Sequence, residues 1–133
     1  MPAIALDHVN IVTDRMDETC AFYTALFDLE RRDGPMQFPP DQVQWLHDGD
    51  GRAIFHINAE GFGGVHAVAG PEQSPTGHIN HVALSCSDLA DMLGRLDTLN
   101  IPYRTVRFDQ IGLTQVFVSD PNAVLLELSF RDP

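Results

Sequence analysis

The chain has 133 residues, 44% of them apolar and 20% charged, which fits one domain with a real core and excludes disordered and fibrous classes. Eight Lys+Arg against nineteen Asp+Glu give a formal net charge of −11, and so acidic a surface makes nucleic acid and membrane surfaces poor partners. Apolar runs stop far short of the ~20 residues of a membrane span. The opening Met1-Pro2-Ala3-Ile4-Ala5-Leu6-Asp7 lacks the basic start of a signal peptide, and two cysteines, Cys20 and Cys86, predict buried reduced thiols in a cytoplasmic protein.

In chain order, a strand Leu6-Asp7-His8-Val9-Asn10-Ile11-Val12 is followed by a helix over about residues 17–28. The helix carries Cys20, Tyr23, Leu26 and Phe27 as one apolar stripe. Three short strands are predicted over about 29–32, 42–47 and 53–58, separated by Gly34-Pro35, Pro39-Pro40 and Asp48-Gly49-Asp50-Gly51. A stretch rich in glycine and proline, 61–77, then joins two halves of about 1–60 and 78–133.

The second half repeats the first. Ile79-Asn80-His81-Val82-Ala83-Leu84-Ser85 is a strand, and a helix over about 88–100 has the stripe Leu89, Met92, Leu93, Leu96 and Leu99. Ser87 or Asp88 is the expected N-cap, and Pro102 stops the helix. Strands over 103–108, 113–119 and 124–130 follow, with Asp120-Pro121-Asn122 as a turn. The expected architecture is α+β, strand–helix–three strands twice over.

Strand alternation assigns faces. Val9 and Ile11, Phe55 and Ile57, Val82 and Leu84, and Leu126 and Leu128 are apolar sets suited to the helix-covered faces. The opposite faces carry His8, His56, His81 and Glu127, each expected in mid-strand. A single histidine so placed is more often an ordinary core or surface residue than a ligand. The coincidence is what matters: His8 matches His81 in the repeat and His56 matches Glu127. An unpaired carboxylate between leucines is costly, and a cation shared with neutral imidazoles offsets that cost. The four are therefore candidate ligands for a divalent metal ion (Zn, Ni, Mn or Fe), with Glu127 and His56 the candidate catalytic groups. Asn10, Trp45, Asn58, Gln115 and Phe117 are candidate substrate contacts, and His47 lies beside Trp45 on the same strand. Ser85 and Ser129 are suited to hydrogen-bonding the ligands. His66 and His78 read as surface residues.

The openings Leu-Asp-His8-Val-Asn-Ile and Ile-Asn-His81-Val-Ala-Leu, with the ending Gln115-Val-Phe-Val-Ser-Asp120-Pro121-Asn122-Ala123-Val-Leu-Leu-Glu127-Leu, resemble the vicinal oxygen chelate superfamily. That group holds glyoxalase I, methylmalonyl-CoA epimerase, extradiol dioxygenases, and fosfomycin and bleomycin resistance proteins. The resemblance implies two βαβββ modules forming a curved mixed sheet or half-barrel around a metal site, and a homodimer. It implies a metal-dependent lyase or isomerase acting on a small substrate chelated through two oxygens. The alternatives are an Fe(II) extradiol-type dioxygenase using His8, His81 and Glu127, with His56 as acid/base, and a metal-free binding protein of the bleomycin-resistance type. The sequence departs from the glyoxalase and epimerase pattern at His56, where Glu or Gln is typical, and at Ala123, where Gly is usual.

Overall fold

The computed structural model describes residues 5–62, 79 and 81–133. Most of the expected connection 61–77, together with His66 and His78, lies outside the described residues. The chain divides into two compact units, Met1–Ala69 and Gly70–Pro133.

The first unit runs β1 (Val9–Thr13), α1 (Met16–Phe27), β2 (Glu30–Asp33), β3 (Val43–His47) and β4 (Ala53–Ala59). Its open sheet has the order β1-β4-β3-β2, with β1 parallel to β4 and the other pairs antiparallel. The second unit repeats this with β5 (Val82–Cys86), α2 (Leu89–Thr98), β6 (Arg104–Phe108), β7 (Leu113–Ser119) and β8 (Leu125–Arg131). Its sheet order is β5-β8-β7-β6, with β5 parallel to β8. The duplication seen in the sequence is thus a duplication of topology: among the described residues, two four-stranded mixed sheets, each with one α-helix.

The first core is α1 against its sheet. Tyr23 packs on Phe55 with ring centroids 4.4 Å apart, and Cys20, Leu26, Leu46 and Ile57 are almost fully buried around them. Each such side chain contributes roughly 1.5–3 kcal/mol on burial. In the second unit Met92 and Leu96 of α2 are buried, as are Val116, Val118, Leu126, Leu128 and Phe130 of the sheet. Asp88 is the N-cap of α2, its Oδ1 accepting from the Asp91 N–H at 3.1 Å. Leu99 does not extend the buried stripe. It is the C-cap and 45% exposed, because the helix ends at Thr98 and Asn100 turns into the left-handed region.

Both cysteines are free thiols. Cys20 is in the core, and burial raises its pKa. Cys86 is half-buried, its thiol pushed up to about 11 by the same cause, so neither is an activated nucleophile. Among the described residues, no helix is long and apolar enough to cross a membrane.

Candidate functional site

His8 and His81 do not stand in mid-strand. The β1 ladder starts at Val9, paired with Phe55, and the β5 ladder starts at Val82, paired with Leu126, so each histidine immediately precedes its strand. His56 and Glu127 are central in β4 and β8, as the alternation implies.

In the first unit the register places Asn10 beside His56 and His56 beside Trp45 across three strands. Three rings pile up on that face. His56 stacks on Trp45 at 3.8 Å between centroids and 7° between planes, and His8 stacks on His56 at 3.7 Å and 12°. Burial, then the nearby His8, depress the His56 pKa from the ordinary 6.5 to about 4, so this imidazole is neutral at physiological pH. Asn10 is half-buried on the same face and Asn58 is 3% exposed. His47 keeps a buried Nδ1 without a hydrogen-bond partner; a register shift between Leu46 and His47 takes its backbone off the regular ladder.

The stack constrains what the two rings can do together. Imidazole lone pairs lie in the ring plane, so near-parallel rings direct them side by side and not toward one point. As they stand, His8 and His56 cannot both ligate one ion. The Asp7 carboxylate stands beside His8. Its Oδ2 accepts from His8 Nδ1 at 2.7 Å, and this hydrogen bond holds the Asp7 pKa below its usual value. Because an ionised carboxylate can only accept, the proton sits on Nδ1 and the Nε2 lone pair is left available. Asp7 was visible in the motif as the residue before His8, but an alternation argument does not single out an exposed neighbour.

In the second unit His81 Nε2 stands 3.8 Å from Glu127 Oε1. Two donors each about 2.1 Å from one ion can be no more than about 4.2 Å apart, so the pair is within reach of a shared cation, at an angle of about 130° that a small side-chain shift would close toward the tetrahedral value. Ser129, 8% exposed, donates its Oγ–H to Glu127 Oε2 at 3.2 Å, leaving Oε1 toward His81. Phe117 pairs with Glu127 and Gln115 with Ser129, so both expected contacts on β7 share the face of the carboxylate. Arg104 of β6, absent from the sequence-based candidates, pairs with Phe117 and lies over its ring, 4.8 Å from the centroid.

The donors therefore come as two pairs, one in each unit. Among the described residues no three His, Cys, Asp or Glu side chains gather into a metal-binding group. Within the pairs, imidazole and carboxylate are the donor types of Zn, Mn, Ni and Fe(II) sites, and the His81–Glu127 separation lies within the limit for two donors of one ion.

The family model of the Glyoxalase/Bleomycin resistance protein/Dioxygenase superfamily matches residues 5–128. No curated protein sequence matches the chain. Among solved structures it is similar to a variant of the fosfomycin resistance protein FosX from Listeria monocytogenes, complexed with Mn(II) and 1S,2S-dihydroxypropylphosphonic acid. That match has TM-score 0.68 and 16% identity over 96% of this chain and 92% of the other. A lactoylglutathione lyase from Agrobacterium tumefaciens matches with TM-score 0.64 and 20% identity, covering 98% of this chain and 96% of that one. A glyoxylase/bleomycin resistance protein/dioxygenase domain from Frankia sp. EAN1pec matches with TM-score 0.69 and 16% identity, covering 98% and 93%. These likenesses carry the fold, and with the family match over nearly the whole chain they fit its duplicated topology. The chain belongs to the glyoxalase/bleomycin resistance protein/dioxygenase superfamily.

Proposed function

We propose that this protein is a metal-dependent enzyme of the glyoxalase-like group, of lyase or isomerase type, acting on a small substrate that chelates through two neighbouring oxygens. The observation that carries the reading is the His81–Glu127 pair at 3.8 Å, with Ser129 orienting the carboxylate. His81 and Glu127 are the proposed ligands in the second unit and His8 a proposed ligand in the first, and a divalent ion held by such groups would act as a Lewis acid, stabilising negative charge that develops on the substrate oxygens. His8 presents Nε2 because Asp7 holds Nδ1. Glu127 has two separable oxygens, one on Ser129 and one toward His81, which suits a carboxylate that also takes up a substrate proton. His56 and Trp45 form a flat aromatic wall, and Phe117 and Gln115 line the second unit's face.

The relatives' printed activities differ, a resistance protein in one and a lyase in another, so the reaction is proposed only at this level. The His8–His56 stack favours one alternative over the four-ligand arrangement. Two histidines and one carboxylate, with His56 outside the ligand set, is also the donor set of an Fe(II) ring-cleaving dioxygenase. A homodimeric, cytoplasmic protein remains part of the proposal.

Elemental mass spectrometry of tag-free protein tests it. The expected result is one equivalent of metal in the wild type, lost in Glu127→Gln and His81→Ala and kept in His56→Phe. Iron would direct the assay to ring cleavage, and nickel, zinc or manganese to isomerase chemistry. No metal in any of them, and none taken up on addition, would refute the enzyme reading in favour of a metal-free binder.

A further inference from the structure

Resting on that metal reading, we infer that the substrate carries an oxyanion, a carboxylate or phosphonate, set apart from its chelating end, and that Arg104 receives it.

The register builds a row across the second sheet. Ala83 of β5, Glu127 of β8, Phe117 of β7 and Arg104 of β6 stand side by side on one face. Strands lie about 4.8 Å apart, so Arg104 and Glu127 start roughly 10 Å from one another at their Cα atoms. Phe117 stands between them, and the guanidinium lies over its ring. Arg104 thus leans over Phe117, the residue that stands between it and Glu127 in the row.

The charge environment makes this placement informative. Six of the eight arginines sit within salt-bridge distance of a carboxylate, as expected for a chain of net charge −11. Arg104 is held by an aromatic face instead, which orients the guanidinium while leaving its fork of N–H donors for a bidentate oxyanion. Arg131, the other arginine outside these pairs, lies four residues beyond Glu127 on β8, roughly 13 Å along the strand and too far to share a small ligand. An anionic substrate approaching so acidic a protein meets net repulsion, so a local cation beside the site is what such a substrate requires.

There is also room. A groove of about 340 Å³ is lined by Pro102, Tyr103, Arg104, Phe117, Ser119 and Leu125, among others. Leu125 on its wall is two residues from Glu127 along β8 and shares its face of the sheet. The groove lies beside Arg104 and Phe117, the two residues that continue the row from Glu127, and is of the size small-ligand sites take.

The test uses Mn(II)-loaded full-length protein and probes that share one chelating end. Calorimetry compares α-hydroxyglutarate and α-hydroxy-γ-phosphonobutyrate, which end in an oxyanion, with α-hydroxyvalerate, which ends in a methyl group. The expected result is about tenfold tighter binding of an anionic probe by the wild type, the size of one charge-assisted pair. The advantage should vanish in Arg104→Met and persist in Arg131→Met, while α-hydroxyvalerate binds all three alike. The tighter of the two anionic probes identifies the oxyanion. Equal binding of all probes by the wild type, or an advantage that survives in Arg104→Met, would overturn the inference. Titration with Mn(II) alone separates that outcome from failure of the metal reading, in which the wild type takes up no ion.

Discussion

Replacing Ser129 by alanine isolates the support of the proposed metal ligand from the ligand itself. Ser129 Oγ donates to Glu127 Oε2 at 3.2 Å, the serine is 8% exposed, and the Glu127 side chain is 17% exposed. Alanine differs by one oxygen, so packing is kept and the effect is that of the hydrogen bond. Hydrogen bonds to charged groups contribute about 1.5–3 kcal/mol, and a 3.2 Å contact is longer than the strong O–H···O⁻ range, placing this one at the low end. Without metal, the variant should lose about 1 kcal/mol of folding stability, since the largely buried carboxylate loses a donor. With metal, Glu127 must also be oriented afresh before Oε1 faces an ion, and the expected cost is about tenfold in Mn(II) affinity, or about 1.4 kcal/mol. Competition against a fluorescent chelator measures the affinity, and urea unfolding of the apo-protein measures the stability. Ser85→Ala is the matched control, because Ser85 pairs with Ser129 across the sheet yet is exposed; it should change neither quantity. A stability loss in Ser129→Ala with unchanged Mn(II) affinity would refute the reasoning, because the bond would then serve the sheet alone.

Three further perturbations follow from the same structure. In the apo-protein the His56 imidazole should titrate near 4 by NMR, and Trp45→Ala should move its midpoint back toward 6.5 by exposing the ring. Because the folded-state pKa is the lower one, this group's contribution to stability is complete above about 6.5 and is lost as pH falls toward about 4; a flat stability profile across that window would contradict it. Ala123 holds φ 64° in the turn that Asp120 closes, with Asp120 Oδ1 accepting from the Asn122 and Val124 N–H groups at 2.7 and 2.8 Å. Ala123→Gly should raise stability by about 0.5–1 kcal/mol in thermal melts, and a loss would show that the turn tolerates alanine without strain. His47→Phe removes a buried Nδ1 that has no partner and should be neutral or stabilising by up to about 1 kcal/mol, whereas a clear destabilisation would mean that nitrogen is engaged.

Sequence reasoning reached the fold because it rests on local signals. The strand–helix–three-strand order appears twice in β1–β4 and β5–β8, and the helix stripes from Cys20 to Leu26 and at Met92 and Leu96 are the buried ones. A period of two also sufficed to put His56 and Glu127 opposite Phe55, Ile57, Leu126 and Leu128. Strand starts were less legible: whether His8 and His81 belong to their strands depends on which residue of a partner strand makes the first rung, and no local pattern carries that.

By itself, the sequence determined the duplicated α+β topology, the core stripes and the residue types able to hold a metal, all of which follow from composition and periodicity along the chain. The tertiary structure alone decided which of those residues meet. Register between distant strands puts Trp45 on His56, Phe117 beside Glu127 and Arg104 over Phe117, across gaps of ten or more residues. It stacked His8 on His56 in a geometry that separates them as joint ligands, and it brought His81 within 3.8 Å of Glu127. The physical reason is that periodicity states only which face a side chain occupies, while hydrogen-bonded pairing between strands sets how far along that face it stands from its neighbours.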